Sequence, residues 1–412
     1  MREVQRAPHV EHSPTNCIRP DSARHLEGTV SSVIDLLREI VAIPSVNPSD
    51  GDPDDRLFGE SRMADYLEGF FRRHRIDCAR QEARPGRDSV VAVVPGRSPD
   101  LVILEAHTDT VSVEGMEIDP FDPRLEDGRV FGRGACDDKG SLAAMLIAFS
   151  ELVSAGTPER TCVLAATCDE EYRFSGIRAL MDRPEEAGLT AGQLSRAMAC
   201  VGEPTGLRVV IAHKGAFRWR MRTRGKAAHS STPEEGENAI YTMARLVESL
   251  QRYAESLSGR PAHPLVGKPT FSVGTIAGGR AVNIVPDLCE ILVDRRLVPG
   301  EDGEAAEAEI RRWIAEAVPA EMETLLEDWP LETDPDAEIV KRTRRALGAL
   351  GLNDEPMGVN YGTDASKMAR AGVECVVCGP GDIGQAHTVT EWVAVEQVEA
   401  AVGLYRGILT GV

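Results

Sequence analysis

The hydrophobic pattern divides the chain into stretches of different period. Residues 29–43 carry Val30, Val33, Ile34, Leu37, Ile40 and Val41 at helical spacing, and Pro44 follows, so a first amphipathic helix is predicted there. A second helix is predicted around Met63, Leu67, Phe70 and Phe71. The pattern then shortens to apolar runs at 89–94, 101–106, 161–167, 197–201 and 372–377. Runs without alternation suit strands buried on both faces of a parallel sheet. Helices are predicted at 141–153, 337–350 and 395–409. From about 209 the rhythm changes. A loosely alternating stretch to 224 is followed by a long helix at 238–256, strands at 270–276 and 288–296, and a helix at 304–317. This order predicts a small α+β unit with an antiparallel sheet.

The expected fold class is therefore α/β. A main domain with a mostly parallel central sheet covers 29–209 and 326–412, and the α+β unit is inserted at 210–325. Two domains also suit 412 residues. Residues 1–28 are polar and aperiodic, and are expected to be a disordered or loosely attached tail. With 46 Lys and Arg against 66 Asp and Glu, the net charge of −20 argues against nucleic acid or an anionic membrane surface as partner. No apolar run approaches the roughly 18 residues of a membrane span, and the N-terminus shows no secretion signal. Nine cysteines without a disulfide-like rhythm suggest a reducing, cytoplasmic setting. Cys375 and Cys378 have redox-pair spacing, but lie in a strand-like run and are read as buried thiols on opposite faces.

The candidate chemistry sits where apolar runs stop. His107 and Asp109 follow the run 101–106. Glu170 and Glu171 follow 161–167, Glu203 follows 197–201, and His387 lies in a glycine-rich loop after 372–377. Asp137 stands in GRGACDDKG (132–140), just before a helix. Any one of these could be a solvated turn, and Asp137 or Asp138 a helix cap. Together they place histidines and carboxylates beyond the ends of predicted parallel strands, where α/β sheets gather ligands. Imidazole with carboxylate suits zinc, and also cobalt or manganese. The donors are too many for one open tetrahedral zinc. They suit two divalent ions roughly 3.5–4 Å apart, sharing a carboxylate and a water.

In order along the chain, HTDTV (107–111), GRGACDDKG (132–140), DEE (169–171), GEPT (202–205) and GPGDIGQAH (379–387) resemble the motifs of a known family. It is the dinuclear zinc family of acetylornithine deacetylase, succinyl-diaminopimelate desuccinylase, aminoacylase-1 and carboxypeptidase G. The resemblance covers about 29–412. It implies a metallopeptidase-like catalytic domain and two divalent ions per subunit, zinc first. By its pattern His107 and Glu203 bind one ion, Glu171 and His387 the other, and Asp137 bridges. Asp109 would accept a hydrogen bond from His107, and Glu170 would be the general base and acid. The inserted unit resembles the family's dimerisation or lid domain. GKAAHSS (225–231) then makes His229 an oxyanion donor from the partner subunit of a homodimer. Asn283 and Arg296 become candidates for the substrate carboxylate, with Arg295 an open alternative to Arg296. The implied activity is removal of an N-acyl group from an amino acid, acetylornithine deacetylase-like. The alternatives are a dipeptidase or carboxypeptidase acting on short peptides, or a non-catalytic binding protein on the same fold.

Overall fold

The helix Val33–Val41 shows how the chain starts its core. The Ser32 hydroxyl accepts the Asp35 N–H at 3.1 Å and caps the first turn. Val33, Ile34, Leu36, Leu37, Ile40 and Val41 are then buried. These coordinates are a computed structural model that describes residues 32–49, 51 and 56–411. The expected tail, and the first residues of the expected helix, lie outside the described residues.

The strands Arg160–Thr167, Ser98–His107, Met198–Val201 and Glu374–Val377 lie side by side and run parallel. Their residues are almost all buried, which is why the sequence shows no alternation there. On one side Arg87–Val94 and Asp77–Arg84 extend this large sheet antiparallel. On the other, Val210–His213 pairs with Glu374–Val377, Leu331–Glu332 and Met357–Val359. The helix Lys139–Ala155 is apolar nearly all round because it is enclosed in one cluster with Val33–Val41 and Val395–Thr410. Cys378 faces this cluster, whereas Cys375 faces the cluster on the opposite side of the sheet. Among the described residues, no helix is long and apolar enough to cross a membrane.

The second unit is a four-stranded antiparallel sheet in the order Thr270–Gly278, Leu288–Leu297, Gly215–Arg224, Glu321–Asp328. The helices Ala239–Ser258 and Gly303–Ala317 cover one face through Met243, Leu246, Leu250, Ile310 and Ile314. The strand residues alternate, buried and half-buried, along Leu288–Leu297. Relative to the expected limits of 210 and 325, Val210–His213 belongs to the large sheet and Glu321–Asp328 to the small one. The chain thus crosses between sheets near Lys214 and Trp329. The apolar rhythm runs on through Lys214 without a break, and EMETLLED (321–328) reads as polar because most of that edge strand is exposed or half-buried.

The second crossing is pinned. Asp328 accepts from Lys367 Nζ at 2.6 Å and from Ser366 Oγ at 3.0 Å, and both charged side chains are nearly inaccessible. Removing one partner of a buried pair strands the other charge away from water. We expect Lys367→Met to lower unfolding free energy by about 3–5 kcal/mol. Urea denaturation measures it, and a loss below about 1 kcal/mol would show that the pair contributes little.

Candidate metal centre

Four neighbouring parallel strands end on one side of the sheet, and the candidate residues stand beyond those ends. His107 is the last residue of Ser98–His107, Glu170 and Glu171 follow Arg160–Thr167, and Glu203 follows Met198–Val201. His387 sits in the loop after Glu374–Val377, with φ +62°. Asp137 precedes the helix Lys139–Ala155. Close packing lets these loops converge. A Cβ on Gly202 would stand 2.7 Å from Asp138 Oδ2, so the chain before Glu203 needs glycine.

The two oxygens of Asp137 face different histidines. Oδ1 lies 2.9 Å from His107 Nε2, and Oδ2 lies 3.3 Å from His387 Nε2. Glu171 is 3.2 Å from the same His387 nitrogen. Two donor groups result, His107–Asp137–Glu203 and Asp137–Glu171–His387, each with ligand atoms within 4.8 Å of one another. Asp138 is fully buried, and neither of its carboxylate oxygens has a hydrogen-bond partner among the described residues. It occupies the helix cap position without making a side-chain cap bond.

Burial first, then neighbouring carboxylates, pushes the acids of Glu203, Glu171 and Glu170 upward. Burial would also raise Asp137, but hydrogen bonds with His107 and His387 hold it low. Asp137 and Glu171 lift His387 to about 10. His107 is also raised, against burial, by the carboxylates of Asp109 and Asp137. By themselves Glu170, Glu171, Glu203, His107 and His387 are all shifted towards their protonated forms, while Asp137 is shifted towards its ionised form. A divalent cation relieves that conflict by taking unprotonated imidazole and ionised carboxylate together. The donor set fits such ions.

Asp109 supports His107 chiefly through its backbone. The His107 Nδ1–H donates to the backbone carbonyl of Asp109 at 3.0 Å, while the carboxylate stands 3.6 Å away. A carbonyl only accepts, so Nδ1 carries the proton and Nε2 is left as the ligand nitrogen. The Asp109 carboxylate instead accepts the backbone N–H groups of Glu170 (3.0 Å) and Glu171 (3.1 Å), and Asn47 Nδ2 at 2.7 Å. It organises the turn that carries the acid pair. The Glu170 carboxyl itself makes no hydrogen bond among the described residues, and the residue is buried.

In the small unit, His229 is exposed, and its Nδ1 pairs with Ser231 Oγ at 2.7 Å. The exposed Asn283 lies alongside, because its carbonyl accepts Ser230 N–H and His229 bridges Ile284. The adjacent arginines point to opposite faces. Arg295 is fully buried and gives its guanidinium to Glu301 at 2.8 Å. Arg296 remains partly exposed beside Asp294, at 2.7 Å. The structure therefore gathers the five metal candidates beyond the ends of the parallel strands, with Glu170 next to Glu171, and sets His229, Asn283 and Arg296 on the second unit.

Several supports escaped the sequence reading. Asn47 also donates to Asp169 at 3.1 Å, while Arg87 and Glu60, a buried pair, hold Asp169. Asp364 accepts from Thr167 Oγ1 at 3.1 Å. Burial, then the charges of Glu203 and Asp137, raises the Tyr361 hydroxyl. Asn47 and Glu60 lie in a loop and a helix start without an apolar rhythm to mark them. Their partners are far off in sequence.

Comparison with known proteins fits this geometry. The profile of peptidase family M20/M25/M40 matches residues 103–411. An acetylornithine deacetylase from Myxococcus xanthus is 34% identical over 303 residues, 72% of this chain and 76% of that protein. An M20 family metallo-carboxypeptidase from Sulfolobus solfataricus superposes with a TM-score of 0.74 at 19% identity, over 92% of this chain and 98% of the other. A dinuclear metal-binding M20 peptidase from Bacillus subtilis gives 0.65 at 14% identity, over 92% and 96%.

Proposed function

The chain belongs to peptidase family M20/M25/M40, and from that premise we propose that it is a metal-dependent amidohydrolase removing an N-acyl group from an amino acid. The observation that carries this reading is Asp137, whose two oxygens face His107 and His387 separately, as a shared ligand of two cations must. His107 and Glu203 would hold one ion, Glu171 and His387 the other, and Asp137 both. Zinc suits these donors best, with cobalt or manganese as substitutes. When bound, such ions supply a water of lowered pKa and a Lewis acid for the scissile carbonyl.

The chain's own residues do the rest. The Glu170 carboxylate takes the proton of the attacking water and returns it to the leaving amine nitrogen. Asp109 holds Glu170 and Glu171 by their backbone, so that one side chain serves the proton and the other the cation. Arg296, bonded to Asp294 through Nε alone and partly exposed, offers its remaining N–H groups to the free carboxylate of the substrate; Arg295 is fully buried against Glu301. The deacylase reading rests on the deacetylase relative, and a carboxypeptidase remains the second reading because of the metallo-carboxypeptidase neighbour.

We also infer a homodimer. Arg224 pairs with Leu288 at one end of the small sheet, and Ala216 with Arg296 at the other. Eight residues of strand span roughly 27 Å. His229 and Asn283 lie beyond the first end and Arg296 at the second, so one small substrate cannot meet all three within one chain. Two chains sharing their sites resolve this. The buried, unpaired thiols of Cys136, Cys162, Cys168, Cys200, Cys375 and Cys378 support a cytoplasmic setting.

The test is zinc-loaded protein against N-acetyl and N-succinyl amino acids and dipeptides, each with a free or an amidated carboxylate. We expect the N-acyl acids to be cleaved and their amides to show a raised KM or no turnover. Preferred cleavage of dipeptides would shift the assignment to a peptidase, and equal cleavage of acid and amide would remove Arg296 from its role.

A further inference from the structure

Glu391 has no part in the chemistry above, yet its carboxylate is fully buried beside the metal candidates. Its Oε2 accepts from Arg133 Nη1 at 2.7 Å and from the Gly134 N–H at 3.0 Å. Its Oε1 accepts from the Cys136 N–H at 2.9 Å and the Asp137 N–H at 3.0 Å. Its own carbonyl accepts the Gly132 N–H at 3.1 Å. The strand it leads into, Trp392–Ala394, pairs with Arg129–Phe131, which leads into that same loop. One residue thus grips the loop of Asp137 through side chain and main chain. Four residues before it stands His387, the other partner of Asp137.

We propose that Glu391 is a positioning residue: it locks the Asp137 loop to the His387 loop and so sets the second metal pocket, Asp137–Glu171–His387. This rests on the two-ion reading. The two pockets differ in what else holds them. His107 ends a buried central strand, and Glu203 stands two residues beyond the end of another. His387 sits in an exposed loop, with its side chain half open to solvent. The first pocket therefore has the large sheet as its frame, and the second depends on the tie between two loops. The chemistry also requires a carboxylate. Each oxygen serves two donors, whereas an amide keeps one accepting oxygen and turns an NH₂ group on the other pair of N–H donors. Aspartate keeps the charge but is one methylene short of reaching all four.

The experiment titrates zinc into the full chain against a chromophoric chelator, for wild type, Glu391→Gln and Glu391→Asp, with thermal unfolding of each. The expected wild-type result is two zinc phases. In Glu391→Gln one phase should stay near wild type, and the other should weaken by about 10–100-fold, the usual effect of losing a partner that orients a ligand. At limiting zinc kcat should fall while KM changes little, and added zinc should restore kcat. Two unchanged phases, or two phases weakened equally, would overturn the proposal. If Glu391→Gln does not fold, Glu391→Asp is judged by the same criteria; if neither folds, the carboxylate serves the fold at large and the proposal is wrong. A wild type with no second phase would instead sink the two-ion reading, whatever the variants do, and this proposal with it.

Discussion

Glu170→Gln should fold, bind zinc as the wild type does, and lose turnover by at least about 10²–10⁴-fold, the usual worth of a general acid–base group. Glutamine is nearly isosteric, and the contacts that place residue 170 are made by its backbone N–H to Asp109. The substitution therefore removes proton transfer and little else. The wild-type side chain is poised for the task. It is buried and makes no hydrogen bond among the described residues, and burial raises its pKa. Glu171 is one residue away and equally held by Asp109, but it faces His387, so it cannot stand in. The measurements are kcat on an N-acetyl amino acid, metal content and circular dichroism. Near-normal kcat in folded, metal-replete Glu170→Gln would remove Glu170 from the mechanism.

The centre of the site was legible in the sequence because buried parallel strands read as unbroken apolar runs. Where LVILEA gives way to His107, or TCVLAATC to Asp169, a polar residue marks the strand end directly. The same logic hid other parts. Asp77–Arg84 is an edge strand with one well-buried residue, Gln81, and so reads as polar coil. Val210–His213 and Gly215–Arg224 share one apolar rhythm although they serve different sheets. Which arginine faces out, 295 or 296, depends on where the helices pack. The hidden supports share one physical cause. Glu391 meets Cys136 across 255 positions, and Lys367 meets Asp328 from a separate element. A charged residue buried by distant partners leaves no local pattern. The support of His107 was legible only in part for a related reason: the motif names Asp109 as the acceptor, but only the structure separates its carbonyl, at 3.0 Å, from its carboxylate, at 3.6 Å.

His229→Ala should lose about 10²–10³-fold in kcat, the typical worth of one oxyanion donor, and should be rescued by a chain defective in Glu170. His229 stands at the end of the small sheet away from the crossings at Lys214 and Trp329, next to Asn283, and contacts no metal candidate of its own chain. Around it lies exposed apolar surface, which the proposed homodimer would cover. Val282 is fully exposed, and Ile276, Ile284 and Tyr241 are exposed with it. Thr270–Gly278 is a sheet edge whose outer backbone groups have no strand partner among the described residues. A twofold dimer formed through this unit would carry each His229 towards the other chain's cleft. As charge develops on the amide oxygen, an imidazole N–H aimed at it would add to what the cations supply, and closure of the unit would time its arrival. Complementation separates this from a role in cis. In a heterodimer of Glu170→Gln with His229→Ala chains, a shared site leaves one cleft with intact Glu170 and an intact His229 from the other chain. Activity should then return to one site per dimer, although each parent is nearly inactive. If His229 acted on its own chain, every cleft would stay defective. Verified heterodimers without recovered activity, or a monomer at assay concentration by sedimentation, would rule out the shared site.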